Sequence, residues 1–411
     1  MSYHYQAASS RSSQSKVLLG NISFIHAVSH IHIMMLPALI PILPSLMNVT
    51  FVELGIALSV FSIVSVIVQA PLGVFVDRIG ARKMLIGALL LGSFSFGLVS
   101  IFPSYIALLI AMFLAGIANG VYHPANYSIL SRNIDSNKIG KAFSIHTFSG
   151  FLGGAITPLV VINIALTFDV HLAFAFASFI SLLALLSVLK LSESTTIAKP
   201  IDGEKSSYDE NRPSSIGIYT ITILTLFFTL LSLSMGAIEK FSVSSLTQGF
   251  NVNLTTANYA LTGFMLASAC GVLTGGFITS RIKRHGIFVT VAFSLAALIF
   301  MLVIMFNLSA ISLIISFCLA GFLMGVIAPS RDMLVRNASP IGAEGRTFGI
   351  VTTGLNFGGI VGPILFSFLL DRNLAVGIIW SAVGFIVLTV IVAVIQEYIT
   401  YRNISHHSTL V

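Results

Sequence analysis

The sequence predicts an all-α membrane protein whose twelve transmembrane helices form two pseudo-symmetric six-helix bundles. Three observations support this fold class. Apolar residues make up 56% of the 411 positions and charged residues only 9%, and the mean hydropathy is +0.99. Long apolar runs recur along the whole chain, and the second half repeats motifs of the first. Soluble domains carry about 25% charged residues, so a soluble globular protein is excluded.

The apolar runs are long enough to cross a bilayer, since about 20 apolar residues in a helix span a hydrocarbon core of about 30 Å. We predict spans at 17–46, 52–76, 84–102, 104–130, 139–166, 169–190, 216–247, 255–279, 286–307, 309–333, 344–370 and 374–397. The first run is too long for the apolar region of a signal peptide and lacks a small-residue cleavage pattern. We therefore expect it to be retained as a helix.

A hydrophilic segment rich in charged residues and containing two prolines divides the chain, and its composition is typical of a flexible linker. The predicted organisation is an N-terminal tail at 1–16, a first bundle at 17–190, a linker at 191–215, a second bundle at 216–397 and a C-terminal tail at 398–411.

The two halves carry the same small-residue motifs at a constant offset. The pairs Gly116 and Gly321, Gly120 and Gly325, Pro124 and Pro329, Gly153 and Gly358, and Pro158 and Pro363 are each 205 residues apart. This offset predicts a duplicated six-helix unit with equivalent bends at Pro124 and Pro329. Parallel repeats of this kind place a substrate site between the halves, near the bilayer midplane.

The cations predict the orientation of the protein in the membrane. With a cytoplasmic amino terminus, only Lys240 and Arg372 of the 21 lysines and arginines fall on the outer side. The positive-inside rule therefore predicts a multi-pass protein of the plasma (bacterial inner) membrane with both termini in the cytoplasm. The net charge of +7 is explained by this topology, so a nucleic-acid partner is not expected.

A charged loop between spans two and three carries the pattern G-x-x-x-D-R-x-G-x-[RK]-[RK]. Its residues are Gly73, Asp77, Arg78, Gly80, Arg82 and Lys83. The pattern resembles the signature loop of the major facilitator superfamily. The resemblance implies the major facilitator fold and a cytoplasmic latch that breaks during transport. We expect the two glycines to permit close helix approach and a sharp turn, and Asp77 to face the positive end of span eleven.

Polar side chains inside the spans are candidates for a substrate or proton pathway, because such groups are costly in a bilayer and usually functional. In the first half they are His26, His30, Asn119, Tyr122, His123, Asn126 and His146; in the second they are Glu239, Lys240, Asp332 and Asn356. His26 and His30 share one helical face, with His32 opposite, and Asn119, His123 and Asn126 share another.

Span four contains Gly120-Val-Tyr122-His123-Pro124-Ala-Asn126, and a glycine-rich stretch follows in span five. These motifs, with the Ser29-His30 pair, resemble the fosmidomycin-resistance branch of the superfamily. The resemblance implies export of a small organic solute.

The energy source is predicted to be an ion gradient, because the chain has no Walker-type phosphate loop. A histidine, Glu239 or Asp332 could carry a coupling proton, and a histidine cluster could alternatively bind a transition metal or a metal chelate. For any single histidine a hydrogen bond to a neighbouring helix is the commoner role, so no metal ligand is assigned from the sequence.

The sequence thus predicts a secondary transporter working by alternating access, with a small-molecule substrate, protons as coupling ion and the lipid bilayer as partners. No cofactor is expected, and no catalytic motif suggests an enzyme. Two alternatives stay open: an uptake carrier for a nutrient or a siderophore-like metal chelate, and a non-transporting membrane receptor on the same fold.

Overall fold

The structure is a computed structural model that describes residues 2–191, 217–279, 281–282, 284–339 and 344–408. Over these ranges the regular elements are fifteen α-helices. The chain divides into two compact units, Met1–Asp202 and Gly203–Val411. The predicted linker at 191–215 lies outside the described residues, apart from Leu191.

Seven helices occur among the described residues of the first unit. They are α1 (Ser2–Leu39), the short α2 (Leu43–Met47), α3 (Phe51–Ile79), α4 (Ala81–Ile101), α5 (Tyr105–Asn133), α6 (Ser136–Thr167) and α7 (Val170–Leu189).

In the part of the second unit that the structure describes there are eight helices. They are α8 (Ile218–Gly249), α9 (Leu254–Thr279), α10 (His285–Met305), α11 (Ala310–Val326), α12 (Ala328–Ala338), α13 (Glu344–Val351), α14 (Thr353–Asp371) and α15 (Val376–Ser408).

Twelve stretches of the described helices are long and apolar enough to cross a bilayer, six in each unit. The predicted fold class is therefore confirmed. A hydrocarbon solvent offers no hydrogen bonds to the backbone, and a helix satisfies its peptide groups within its own segment. This requirement explains why apolar composition alone predicts the elements so closely.

Three predicted spans differ in detail from the observed helices. The first membrane helix ends at Leu39 rather than 46, because Pro41 cannot donate a backbone hydrogen bond and disfavours a helical residue before it. Span ten is interrupted at Ile327, just before Pro329. Span eleven is interrupted at Thr352, whose hydroxyl donates to the carbonyl of Phe348, 2.7 Å away.

The equivalence expected for the bends at Pro124 and Pro329 is wrong. Pro124 lies inside the continuous helix α5, whereas Pro329 lies in the first turn of the separate helix α12. The backbone N–H groups of the first helical turn have no acceptor within the helix. A proline there, which lacks the N–H, therefore loses no helical hydrogen bond, and a new helix can start at this position. The duplicated sequence has produced two different local structures.

The same helix pairs pack in both units. The close partners of the first unit include α1 with α6, α3 with α5, and α4 with α7; the corresponding pairs of the second unit are α8 with α14, α9 with α11, and α10 with α15. In addition, α4 packs on α5 and α8 packs closely on α15. In the first half the three repeated pairs are spans one and five, two and four, and three and six. In the second half they are spans seven and eleven, eight and ten, and nine and twelve. The sequence repeat is therefore also a repeat of packing.

The repeated glycines lie at these contacts. A Cβ atom at Gly116 would stand 2.8 Å from the carbonyl oxygen of Phe61, and one at its repeat partner Gly321 would overlap the carbonyl oxygen of Phe264. A Cβ at Gly153 would likewise overlap the carbonyl oxygen of Ala27. Small residues allow helix backbones to approach closely in a bilayer, where lipid chains provide no hydrophobic drive for association.

Two adjacent glycines of α14 provide a matched test of this packing. A Cβ at Gly358 would lie 2.6 Å from the Cβ of Ser232 and 2.9 Å from the carbonyl oxygen of Thr229, whereas a Cβ at Gly359 would meet nothing within 4 Å. We expect Gly358→Ala to destabilise the protein by about 1–3 kcal/mol, as overpacked sites do. Gly359→Ala should be neutral or slightly stabilising, by up to about 1 kcal/mol. Thermal unfolding in detergent measures both, and equal melting temperatures for the two variants would contradict the packing.

Candidate functional site

Four histidines from three helices come together in the first unit. His26 and His30 lie one turn apart on α1, His123 lies on α5 and His146 on α6. The ring of His26 is stacked on that of His146, with centroids 3.8 Å apart and planes at 9°. The His30 and His123 rings approach His26 edge-on, at centroid distances of 4.7 and 5.2 Å. The cluster groups four of the seven residues proposed from the sequence of the first half.

The cluster has unsatisfied nitrogen atoms. Nδ1 of His26 lies 2.7 Å from the carbonyl oxygen of His146. The side chains of His26 and His146 are 2% and 0% exposed. Nε2 of His26 and both ring nitrogens of His146 are buried without a hydrogen-bond partner among the described residues. Buried polar atoms are normally paired, so these nitrogen atoms are unusual.

His32 is different, as its opposite helical face predicts. Its Nε2 donates to the carbonyl oxygen of Ala177 on α7 at 3.1 Å, and its ring packs against Phe96 at a centroid distance of 4.7 Å. This histidine is a satisfied packing residue.

Tyr122 does not lie with the histidines. Its side chain is 2% exposed within the apolar core of the first unit, and its hydroxyl donates to the carbonyl oxygen of Ala88 at 3.4 Å. The structure thus places Tyr122 away from the histidine cluster, and its assignment to the pathway stays a prediction. Its place one position before His123 turns it about 100° around the helix, toward α4.

The two asparagines of span four have unlike surroundings. The amide of Asn119 donates to the hydroxyl of Ser65 on α3 at 2.7 Å. The side chain of Asn126 is fully buried, and neither its amide nitrogen nor its oxygen has a partner among the described residues. Asn126 therefore adds unsatisfied polar atoms to the first unit.

Two residues that the sequence did not assign to the site complete the histidine cluster. The ring of Tyr127 lies 6.0 Å from that of His123 and 5.3 Å from that of His146. Gly150 provides space, since a Cβ there would stand 2.6 Å from Cε1 of His26 and 2.8 Å from Nε2 of His30. Their spacing along the helices could have identified both residues, because Tyr127 follows His123 by four residues and Gly150 follows His146 by four, which places each pair on one helical face.

In the second unit, Glu239 and Lys240 of α8 line a cavity of about 190 Å³. The remaining lining residues are uncharged and come from α8 and α14: Ser232, Met235, Gly236, Phe241, Leu355, Gly358, Gly359, Gly362, Pro363 and Phe366. No ion pair or hydrogen bond of either charged group occurs within the described part of the chain. An unpaired carboxyl and an unpaired amine at this depth are costly, which points to function.

The other candidates of the second unit do not line this cavity. Asp332 of α12 pairs with the adjacent Arg331 at 2.9 Å, and the guanidinium of Arg331 lies over the ring of Phe228, 5.1 Å from its centroid. Asn356 of α14 is half-buried and is absent from the cavity wall. Of the four sequence candidates of this half, the structure brings together Glu239 and Lys240.

The charged loop makes contacts within the first unit. Asp77 pairs with Arg132 at 3.2 Å, with 70% of the Asp77 side chain exposed. Arg82 donates to the carbonyl oxygens of Val188 and Leu189 at 3.4 and 3.1 Å, which places a cation at the negative end of α7. The contact of Asp77 with span eleven stays a prediction.

The two loop glycines have different roles. Gly80 adopts φ +102° between α3 and α4, a conformation that disfavours residues with a Cβ, so the expected sharp turn is present. A Cβ at Gly73 would lie 3.8 Å from the Cβ of Pro124. This is an ordinary contact, so helix packing does not require glycine there.

The other two cations of the charged loop, Arg78 and Lys83, are exposed.

Comparisons of the sequence give one family. The family model of the Major Facilitator Superfamily matches residues 22–238 and 216–401. The fosmidomycin resistance protein of Escherichia coli (strain K12) is 24% identical over 291 residues, 68% of each chain. The multi-drug resistance efflux pump PmrA of Streptococcus pneumoniae is 24% identical over 318 residues, 75% of this chain and 77% of the pump.

Solved structures share the fold. A bacterial homolog of the human lysosomal transporter Spinster, in an inward-facing and occupied conformation, superposes with a TM-score of 0.76 at 13% identity, over 95% of this chain and 97% of its own. The nucleoside transporter NupG superposes with a TM-score of 0.73 at 14% identity, over 93% and 99%. Because the family model matches both halves and the fold agrees over nearly the whole length, the chain belongs to the major facilitator superfamily of membrane transporters.

Proposed function

We propose that this protein is a secondary active transporter that exports a small organic solute by alternating access, in exchange for protons. The observation that carries the proposal is the cavity of the second unit, where Glu239 and Lys240 lie among apolar residues without a described ion-pair partner. Relatives with resistance and efflux functions support export as the direction.

Glu239 is the proposed proton carrier. A carboxyl group can be neutral or charged within the cavity, and the neutral form moves through an apolar environment at a much lower cost. Lys240 is the only other ionisable side chain among the described residues that line the cavity. Its amine can pair with the carboxylate once the proton has left.

Counterflow in proteoliposomes tests the transport proposal and identifies the substrate. Purified protein is reconstituted and exposed to a panel of organic anions, antibiotics including fosmidomycin, and metal chelates. Accumulation of one radiolabelled solute against its unlabelled form supports a carrier. No counterflow with any class of solute would contradict the proposal.

Replacing Glu239 with glutamine should uncouple transport from protons. The amide keeps the shape of the side chain but cannot bind and release a proton. We expect Glu239→Gln to retain counterflow of the identified substrate, while its transport rate no longer responds to a proton gradient imposed between about pH 5 and 8. The transport rate of the parent should rise as that gradient grows. Transport assays at several external pH values measure this response.

Glu53→Gln is the matched control. Glu53 closes a capping box with Thr50 at the start of α3, with its carboxylate 2.7 Å from the backbone nitrogen of Thr50, and glutamine also serves in such a box. This variant should keep the parental pH response. A parental response in Glu239→Gln would show that the coupling proton binds elsewhere.

Asp77 is the proposed anionic part of the conformational latch. The Asp77 side chain is 70% exposed, whereas that of its partner Arg132 is 15% exposed. Water screens a carboxylate this exposed, and such ion pairs contribute about 0–1 kcal/mol to stability. Asp77→Asn should therefore leave folding intact and still lower the transport rate at least about tenfold, as the loss of about 1.4 kcal/mol from the transition state would.

Asp135→Asn is the control for the latch. Asp135 is also an exposed acid with one cationic partner, Lys138 at 3.1 Å, but lies outside the signature loop. Initial transport rates at equal protein levels should be normal in this variant. If both variants transport alike, Asp77 has no special role.

We also propose that the protein lies in the plasma membrane with both termini in the cytoplasm, as the positive-inside rule predicts. Cysteines at the exposed positions Asn307 and Lys190 test this in a chain whose Cys270 and Cys318 have been replaced by serine. A membrane-impermeant thiol reagent should label Asn307→Cys in intact cells and Lys190→Cys only after permeabilisation. The reverse pattern would invert the topology.

A further inference from the structure

The histidine cluster of the first unit has the geometry of a metal site. One ring nitrogen from each of His26, His30 and His123 can be chosen so that all three atoms lie within 4.8 Å of one another. A zinc–nitrogen bond is about 2.0–2.1 Å, so nitrogens around one ion are separated by about 3.4 Å in a tetrahedral site. Rotations of the side chains that move each nitrogen by about 1 Å would close the site.

The hydrogen bonding of His26 prepares it as a ligand. A carbonyl oxygen only accepts, so the 2.7 Å contact with His146 means that Nδ1 of His26 carries the proton and donates. Nε2 then keeps its lone pair, and this atom is buried without a partner among the described residues. Metal-binding histidines almost always donate their second ring nitrogen to such an acceptor, which fixes the tautomer and the ring orientation.

The first unit also contains two histidines that show what a purely structural role looks like. His32 bonds the carbonyl oxygen of Ala177 at 3.1 Å, and Nδ1 of His171 lies 2.7 Å from the carbonyl oxygen of Ser100. Each makes the hydrogen bond expected of an imidazole that joins two helices. His146, in contrast, is fully buried with both ring nitrogens unpartnered. The cluster therefore contains ring nitrogens without the hydrogen bonds that the two structural histidines make.

We propose that His26, His30 and His123 bind a divalent transition-metal ion such as Zn²⁺, Ni²⁺ or Co²⁺. Imidazole nitrogens suit these ions, whereas Mg²⁺ and Ca²⁺ require oxygen ligands. The three histidines leave a coordination position open for water or for a donor atom of a small organic ligand. Gly150 provides the space beside the His26 and His30 rings.

This inference goes beyond the proposed function and does not depend on it. The metal ligands lie on α1 and α5 of the first unit, whereas the proposed proton carrier Glu239 lies on α8 of the second. Metal binding is measured on purified protein without transport, and proton coupling is measured through Glu239. Each proposal can therefore fail while the other holds.

Titration of the full chain in detergent with Co²⁺ and Zn²⁺ tests the site. His4, His406 and His407 lie near the two ends of the sequence; they are replaced by alanine in every variant, and a tag without histidine is used. We expect one Co²⁺ per chain, with the strong visible absorption of a nitrogen-ligated, four-coordinate ion. Zn²⁺ should displace it, and excess Mg²⁺ should not.

Four variants separate ligation from folding. His30→Gln and His123→Gln each remove a ligand and should weaken binding more than about tenfold. Gly150→Ala keeps all the ligands but crowds the His26 and His30 rings, and it should weaken binding as well. His171→Gln lies outside the cluster and should bind like the parent. Size-exclusion profiles and melting temperatures identify any variant that fails to fold, in which case the remaining ones decide.

The proposal is overturned if the parent binds no Co²⁺ saturably. It is also overturned if folded His30→Gln and His123→Gln bind as tightly as the parent, since the ion would then be held elsewhere. The proposal is likewise overturned if His171→Gln weakens Co²⁺ binding as much as the two ligand variants do.

Discussion

Close contact between helix backbones is the interaction on which this structure depends. In a hydrocarbon solvent the peptide groups are satisfied within each helix, and lipid chains are as apolar as leucine, so burial of apolar surface does not select a helix partner. The choice of a helix partner then depends on how closely the surfaces of the two helices fit. At Gly153 against Ala27, at Gly321 against Phe264 and at Gly358 against Ser232, no Cβ fits between the helices. The paired packing of both units follows from these contacts.

Gene duplication has kept this packing and changed the polar chemistry. The glycines of spans four and five recur in spans ten and eleven at the same helix contacts. His123, in contrast, has Ala328 at its repeat position. The first unit presents a cluster of imidazoles and the second a carboxyl beside an amine. Packing constrains residue size at fixed positions, whereas a polar group at a less tightly packed position is free to diverge with function.

The functional candidates were partly predictable from the sequence. Ionisable residues are rare in apolar spans, so His26, His30, His123, His146, Glu239 and Lys240 stood out by composition alone. Periodicity correctly separated His32 from His26 and His30. Composition also made Tyr122 a candidate, and the structure places its hydroxyl at the carbonyl oxygen of Ala88 on α4, away from the histidines. Gly150 and Tyr127 were not assigned to the site, since neither residue type is unusual in a membrane helix.

The sequence by itself determined the number of membrane helices, their approximate ends and the duplication, because each follows from local composition or from direct comparison of the two halves. The tertiary structure decided which side chains meet. His26 and His146 are 120 residues apart and stack at 3.8 Å. The interruptions at Ile327 and Thr352 have no counterpart in the equivalent helices α5 and α6, which are continuous. Hydropathy sums over neighbours along the chain, whereas the rotation of each helix and the contacts of its side chains depend on the residues of other helices.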